Sequence, residues 1–283
     1  MSGTSVLIAG CGDIGSRLAV RLAALQWRVM GLRRTVDALP AGIEGIAGDL
    51  FKPEPPPAWP SGPLDYLVYC VAASEHDEAG YRRAYVDGLR HVLGWLQVHG
   101  QTPRRLLFVS SSSVYGQLEG EWVDERSATE PGGFSGRLML EAEQLAQSTA
   151  IPATVVRLTG IYGPGRERLV EQVRQGYRVA PHPPQYGNRI HADDAAGLLA
   201  FLLQADMKGQ ALENCYIGVD DAPAPLFDVV QWLHEVLDVR QWSDEHSVRR
   251  TGSKRCSNAR AKALGWQPAY PSYREGYGAL LGL

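Results

Sequence analysis

"SVLIAGCGDIG", residues 5 to 15, decides the fold that we predict for this chain. An apolar, β-branched run leads directly into Gly-x-Gly-x-x-Gly, and an amphipathic helix follows. Gly10 permits a tight turn, Gly12 lets a pyrophosphate approach the backbone, and Gly15 lets the helix pack close to the strand. The start of the helix adds amide donors and partial positive charge. The stretch predicts a dinucleotide site, and the alternative is a tight turn that binds nothing.

Apolar runs and amphipathic stretches alternate along the chain. The predicted strands are 5–10, 27–32, 42–50, 65–73, 105–111, 153–162 and 214–219, and the predicted helices include 137–148, 192–204 and 226–238. Nearly continuous apolar strands separated by helices are typical of a parallel sheet covered on both faces. We therefore predict an α/β fold with a Rossmann-type doubly wound parallel sheet. We predict that residues 1–165 form an NAD(P)-binding domain and that residues 166–283 form a smaller C-terminal substrate lobe, some segments of which return to the first domain.

Composition excludes several function classes. The 283 residues are 45% hydrophobic, and a net charge of −3 leaves no broad basic face for nucleic acid. No apolar run approaches the roughly 20 residues that span a membrane. The N-terminus lacks the pattern of a signal peptide. We expect a cytoplasmic protein that binds neither nucleic acid nor membrane.

Metal and disulfide sites are also not expected. The cysteines are far apart and include no C-x-x-C pair, so we predict reduced thiols: Cys11, Cys70, Cys215 and Cys256. "HADD", residues 191–194, could suggest metal ligands. Two adjacent aspartates at a helix start fit capping and stabilisation of the helix dipole better.

Two arginines follow the second predicted strand. Arg33 and Arg34 begin eighteen residues after Gly15, where an acidic residue would accept the ribose hydroxyls of NAD. A guanidinium pair suits a 2′-phosphate and has no acceptor for those hydroxyls. The sequence therefore favours NADP over NAD, and a solvated loop is the alternative reading of the pair. Asp49, in "GDL", is predicted to meet the adenine amino group or simply to form a turn.

Six motifs together resemble the extended short-chain dehydrogenase/reductase superfamily, and specifically the NAD(P)-dependent epimerase/dehydratase family. They are "IAGCGDIG", "AGDL", "CVAA", "SSSSVYG", "LTGIYGPG" and "RIHADDAA", in that order. The glycine spacing is similar to that of the atypical members. The resemblance implies a cofactor site that also includes Asp13, Ile14, Leu50, Val71, Ala72 and Ala73. It further implies a small-molecule substrate, such as a nucleotide sugar or a related carbonyl compound, and a homodimer formed through the helices beside the serine strand.

The resemblance also implies a catalytic serine and a Tyr-x-x-x-Lys helix. Ser111 falls on the serine, which polarises the substrate oxygen, and Tyr115 lies four residues later. On the helix, one register puts Ser135 and Met139 at the tyrosine and lysine, and the other puts Phe134 and Leu138 there. The only lysines of the chain lie elsewhere: Lys52, Lys208, Lys254 and Lys262. We conclude that the usual proton-transfer pair is missing.

Three roles stay open after this loss. The chain is an oxidoreductase or epimerase with an unconventional proton donor, for which Tyr115, Tyr162, Tyr186 and Arg137 are candidates. Alternatively, it is a catalytically silent NADP(H)-binding sensor or regulatory module. In the third reading, it is a scaffold that no longer binds a cofactor. Tyr85 is a further departure, because the family often has asparagine there.

Overall fold

The computed structural model describes residues 3–241 and 252–283. The strands are β1 Ser5–Ala9, β2 Arg28–Arg33, β3 Glu44–Ala47, β4 Tyr66–Tyr69, β5 Arg105–Ser111, β6 Glu121–Val123, β7 Ala153–Leu158, β8 Gly160–Tyr162, β9 Tyr186–Gly187, β10 Arg189–His191, β11 Cys215–Gly218, β12 Ala224–Pro225 and β13 Lys254–Cys256. The α-helices are α1 Asp13–Ala24, α2 Glu78–Tyr81, α3 Gly88–Val98, α4 Phe134–Gln147, α5 Arg168–Arg174, α6 Ala192–Met207, α7 Leu226–Val236, α8 Ala259–Leu264 and α9 Tyr273–Leu281.

A seven-stranded parallel sheet organises the fold. Its strand order is β3-β2-β1-β4-β5-β7-β11. The chain order reverses between β1 and β4, where Val6 lies opposite Tyr66. In open sheets of this kind, ligands bind beyond the carboxyl ends of the strands at the reversal. The predicted doubly wound α/β fold is confirmed, and the glycine loop that follows β1 lies at this point.

Some predicted strands are shorter in the structure. The sequence prediction continued one strand over 153–162, whereas β7 ends at Leu158 and β8 begins at Gly160. The reason is a change of partner, because β8 pairs in parallel with β10 in a separate two-stranded sheet. Likewise, β4 ends at Tyr69, and residues 70–73 form part of a loop instead of the predicted strand.

The chain divides into two compact units. The first consists of Met1–Val114, Pro131–Arg157 and Ala196–Tyr216. Its core includes every residue of β1 and the inner face of α1, where Leu18 and Leu22 are fully buried. At the amino ends of its strands, the Asp206 carboxylate accepts hydrogen bonds from Arg105 Nε at 2.6 Å and from the Tyr66 hydroxyl at 2.9 Å.

The second unit consists of Tyr115–Glu130, Leu158–Ala195 and Ile217–Leu283. Its core is an aromatic and aliphatic cluster that contains Tyr162, Val170, Leu226, Val229 and Tyr277. Short strands pair here as β8 with β10, β9 with β12 and β6 with β13. Three-residue strands such as β6 and β13 carry too little periodicity to be predicted from sequence. In the part of the chain that the structure describes, no helix is long and apolar enough to span a bilayer.

Candidate active site

The glycine loop has three glycines with three different roles. Gly10 has φ of +81°, in the left-handed region, and a Cβ there would lie 2.8 Å from the Cys70 carbonyl oxygen. A Cβ on Gly15 would lie 3.1 Å from Ile8 Cγ2, so this glycine allows α1 to approach β1. A Cβ on Gly12 would meet nothing closer than 4.0 Å. Gly12 therefore borders open space, as a pyrophosphate that contacts the backbone requires.

The start of α1 borders the same open space. Gly12 provides no side-chain cap, and the first amides of a helix have no intrahelical acceptor. Asp13 is exposed, and its carboxylate accepts a hydrogen bond from Arg17 Nε at 2.8 Å, which offsets its negative charge at the start of α1. Ile14 is buried below the loop. These groups fit a dinucleotide pyrophosphate.

Arg33 reaches back to the glycine loop from the end of β2. Its Nη1 donates to the Cys11 carbonyl oxygen at 3.2 Å and to the Ala38 carbonyl oxygen at 3.4 Å. A guanidinium has five N–H donors, so donors remain for a ligand. Arg34 is exposed. The fold therefore places one predicted arginine against the loop and the next one in solvent.

Residues after β3 and β4 border the same edge. Asp49 Oδ1 accepts a hydrogen bond from the Phe51 amide at 3.0 Å, so the side chain forms a turn, which was the alternative reading. Leu50 is buried. Val71 Cγ2 lies only 2.6 Å from the Cβ position of Gly10, which explains why that position requires glycine. Ala72 is exposed, and the Ala73 amide donates to the Tyr85 hydroxyl at 3.3 Å.

Ser111 is the last residue of β5 and is half-buried. Its Oγ accepts a hydrogen bond from the Ser113 amide at 3.2 Å. This bond orients the side chain and leaves the hydroxyl hydrogen able to donate. Its neighbour Ser110 points to the other face of the strand, where it donates to Glu143 of α4. At the end of β5, Ser111 therefore stays half-buried with a hydroxyl that can donate, whereas the Ser110 hydroxyl is used in the contact with α4.

Helix α4 packs directly on the turn that follows Ser111. A Cβ on Gly136 would lie 2.4 Å from the Ser113 carbonyl oxygen, so only glycine allows this approach. Arg157 Nη2 lies 2.7 Å from Glu143 Oε2 in a buried ion pair that fixes α4 to β7. The helix contains neither tyrosine nor lysine. Leu138 and Met139, the two positions that align with the lysine, are each 3% exposed and belong to the core.

The predicted substitute donors are engaged in other contacts. Tyr115 is buried, and its hydroxyl donates to the Asp124 carbonyl oxygen at 2.9 Å. Burial strongly raises the pKa of Tyr162, and the hydroxyl of this residue lies 3.5 Å from the Ser272 carbonyl oxygen. The Tyr186 ring stacks under the Arg255 guanidinium at 4.9 Å. Arg137 is exposed and donates to the Gly132 carbonyl oxygen at 3.4 Å.

Tyr81 is a residue that the sequence reasoning did not consider. Its ring contacts Phe134 edge-to-face, with centroids 5.5 Å apart, and lies 5.2 Å from the Tyr85 ring. These aromatic residues lie beside the first turn of α4. The tyrosines four residues apart in "YRRAY" could have indicated a shared helix face.

Polar residues of the second unit have structural roles. The Asp194 carboxylate accepts hydrogen bonds from the Ala269 and Tyr270 amides at 2.8 and 2.9 Å. No group of three or more potential metal ligands occurs within residues 3–241 and 252–283.

In the basic stretch 249–260, residues 249–251 lie outside the described residues. Lys254 is buried and donates to the Tyr115 carbonyl oxygen at 3.1 Å, and desolvation lowers the pKa of this lysine.

Comparison with known proteins agrees with this geometry. The model of the NAD dependent epimerase/dehydratase family matches residues 6–218. A solved structure described as an NAD-dependent epimerase/dehydratase from Methylobacillus flagellatus is 38% identical, covers 99% of this chain and 98% of its own, and has a TM-score of 0.81. Protein YeeZ of Escherichia coli K12 is 30% identical over 218 residues, which are 74% of this chain and 77% of YeeZ.

A third relative is named as a reductase. The 3-diazoavenalumate denitrifying reductase of a Streptomyces species is 28% identical over 96% of this chain and 99% of its own length. The family model covers most of the chain, including the glycine loop, α4 and the turn at residues 111–114, which we call the serine turn. This chain belongs to the NAD-dependent epimerase/dehydratase family, whose members bind NAD(P).

Proposed function

We propose that this chain is an NADP(H)-dependent oxidoreductase that acts on a nucleotide sugar or a related carbonyl compound. One observation carries the proposal. The glycine loop with its open face at Gly12 and the serine turn at Ser111 both follow strands of one parallel sheet at their carboxyl ends. Bound NADP(H) would supply or accept a hydride at this edge.

Each residue at this edge has a separate role in the proposal. The amides of Asp13 and Ile14, at the start of α1, bind the pyrophosphate. Arg33, held on the Cys11 carbonyl oxygen, binds the 2′-phosphate and favours NADP over NAD. The Ser111 hydroxyl donates to the substrate oxygen and polarises the carbonyl group. Residues 166–283 supply the substrate lobe, the protein acts in the cytoplasm, and two copies associate through the helices beside β5.

A binding measurement tests the cofactor part first. The chain has seven tryptophans, and their fluorescence can report a titration of the purified protein with NADPH or with NADH. We expect tighter binding of NADPH. Binding of neither nucleotide would reject the oxidoreductase and favour a scaffold.

A serine substitution tests the catalytic part. We expect Ser111→Ala to bind NADPH like the wild type and to lose turnover, because the hydroxyl contacts the substrate and not the nucleotide phosphates. Ser112→Ala removes a neighbouring hydroxyl and serves as the matched control. Equal turnover of both variants and the wild type would contradict the role of Ser111.

A second candidate function is a catalytically silent NADP(H) sensor. The observation in its favour is α4, where the positions that align with tyrosine and lysine are taken by residues without phenol or ammonium groups. Tight NADPH binding without turnover on a panel of sugar nucleotides and carbonyl compounds would favour this role.

A further inference from the structure

The Tyr81 ring packs beside the start of α4, the helix that aligns with the tyrosine and lysine of the family. The ring of Tyr81 contacts Phe134, which starts α4 and aligns in one register with the tyrosine of the family. Two residues further along, Gly136 lies directly against the serine turn at Ser113. A continuous set of contacts therefore connects the Tyr81 ring, the first turn of α4 and the turn after Ser111.

The Tyr81 hydroxyl differs from other tyrosine hydroxyls near the site. The residue is half-buried, and across the described residues no hydrogen bond occupies its hydroxyl. Tyr85 is 9% exposed, its hydroxyl accepts the Ala73 amide, and desolvation raises the pKa of Tyr85. Of Tyr81 and Tyr85, Tyr81 is thus the one whose hydroxyl has no hydrogen-bond partner among the described residues.

The segment around Tyr81 contacts both the preceding loop and α4. Asp77 caps α2 by accepting a hydrogen bond from the Gly80 amide at 2.7 Å. A Cβ on Gly80 would lie 2.9 Å from the Glu75 carbonyl oxygen, so the preceding loop crosses closely over the helix. Arg82 forms two hydrogen bonds with Glu141 of α4, at 2.8 and 3.0 Å. These contacts on both sides of Tyr81 position its ring against α4, as a catalytic side chain requires.

We propose that Tyr81 is the proton donor that replaces the missing tyrosine of α4; this inference rests on the proposed oxidoreductase function. The carbonyl carbon of the substrate accepts a hydride from NADPH, and the electron pair of the C=O π bond moves to the oxygen. That oxygen takes the proton of the Tyr81 hydroxyl, and water returns a proton to the phenolate. The sum is carbonyl compound, NADPH and H⁺ to alcohol and NADP⁺.

Chemical labelling tests the position of the phenol without turnover. N-acetylimidazole acetylates accessible tyrosine hydroxyls, and peptide mass spectrometry of the full chain reports each site. We expect rapid acetylation of Tyr81, slow acetylation of the buried Tyr85 and Tyr115, and protection of Tyr81 by saturating NADPH. Acetylation of Tyr81 that is as slow as that of Tyr85, or that NADPH does not change, would overturn the proposal.

Turnover tests the proton transfer itself. With isatin as the carbonyl probe and NADPH oxidation followed at 340 nm, we expect Tyr81→Phe to lose about 10²- to 10⁴-fold in kcat while NADPH affinity is unchanged. Tyr273→Phe, in the second unit, is the control and keeps wild-type turnover. Wild-type turnover by Tyr81→Phe refutes the role of Tyr81. A wild-type protein that binds NADPH but reduces no probe contradicts the proposed function, and the labelling result alone then decides whether the Tyr81 phenol lies at the cofactor.

Discussion

The glycine loop and the first turn of α4 belong to the same compact unit, yet they match the pattern of the family to different degrees. The loop has each glycine that the turn, the open face and the helix contact require, with Arg33 held against it. Helix α4 keeps its close contact with the serine turn, but the side chains that would transfer protons are absent. In the proposed function, cofactor binding and proton transfer depend on separate residues, so one can be intact when the other has changed.

The largest effect is expected where α4 is held to the sheet. Arg157→Met leaves Glu143 buried without its guanidinium partner, which we expect to lower the free energy of unfolding by about 3–5 kcal/mol. Urea denaturation measures this change. Arg82→Met is the matched control, because it breaks an exposed ion pair on the same helix and should change stability little. Equal losses in both variants would show that burial does not determine the contribution of the pair.

A substitution in the glycine loop should lower NADPH binding as well as stability. Gly10→Ala forces alanine into a left-handed conformation and brings its Cβ to 2.8 Å from the Cys70 carbonyl oxygen, and the two effects cost about 2–5 kcal/mol. We expect loss of NADPH binding in fluorescence titrations. Gly94→Ala in α3, where a Cβ meets nothing within 4 Å, should leave binding unchanged and stabilise the helix. NADPH binding by Gly10→Ala at wild-type affinity would contradict the predicted cradle.

A smaller effect is expected for the choice between the two nucleotides. Arg33→Ala should weaken the binding of NADPH by roughly ten- to a hundredfold, because a charge-assisted hydrogen bond contributes about 1.5–3 kcal/mol. The binding of NADH should be affected less, since NADH has no 2′-phosphate. Arg34→Ala, at the exposed neighbouring position, is the comparison variant. An equal loss of NADPH and NADH affinity in Arg33→Ala would remove the argument for NADP.

The smallest effect concerns a buried acid in the second unit. Desolvation raises the pKa of Asp220 to about 7. Between an unfolded pKa of about 3.9 and this value, the folded state binds more protons than the unfolded state, so stability falls as pH rises. Asp220→Asn lacks this titration. Its free energy of unfolding should therefore rise relative to that of the wild type by at most about 1.4 kcal/mol per pH unit from pH 5 to 7. Parallel pH profiles for the two proteins in urea denaturation would argue against the raised pKa.

Sequence reasoning was strongest where chemistry depends on neighbouring residues. Gly-x-Gly-x-x-Gly after an apolar strand predicted the cofactor turn, because a strand end and a helix start are local features. The run 105–111 matched β5 at both ends. Strand ends were predicted less well where a strand changes partner, as at Leu158 and Gly160, since no local signal separates β7 from β8.

The sequence by itself determined the α/β fold, the family and the absence of tyrosine and lysine from the helix after Ser111. Each follows from the order and identity of residues close together in the chain. Only the tertiary structure decided that Tyr81 lies against Phe134, that the Tyr115 hydroxyl binds the Asp124 carbonyl oxygen and that Arg33 contacts the glycine loop. The physical reason is that these contacts depend on how helices and loops pack around the sheet, and packing between distant segments leaves no periodic pattern in the sequence.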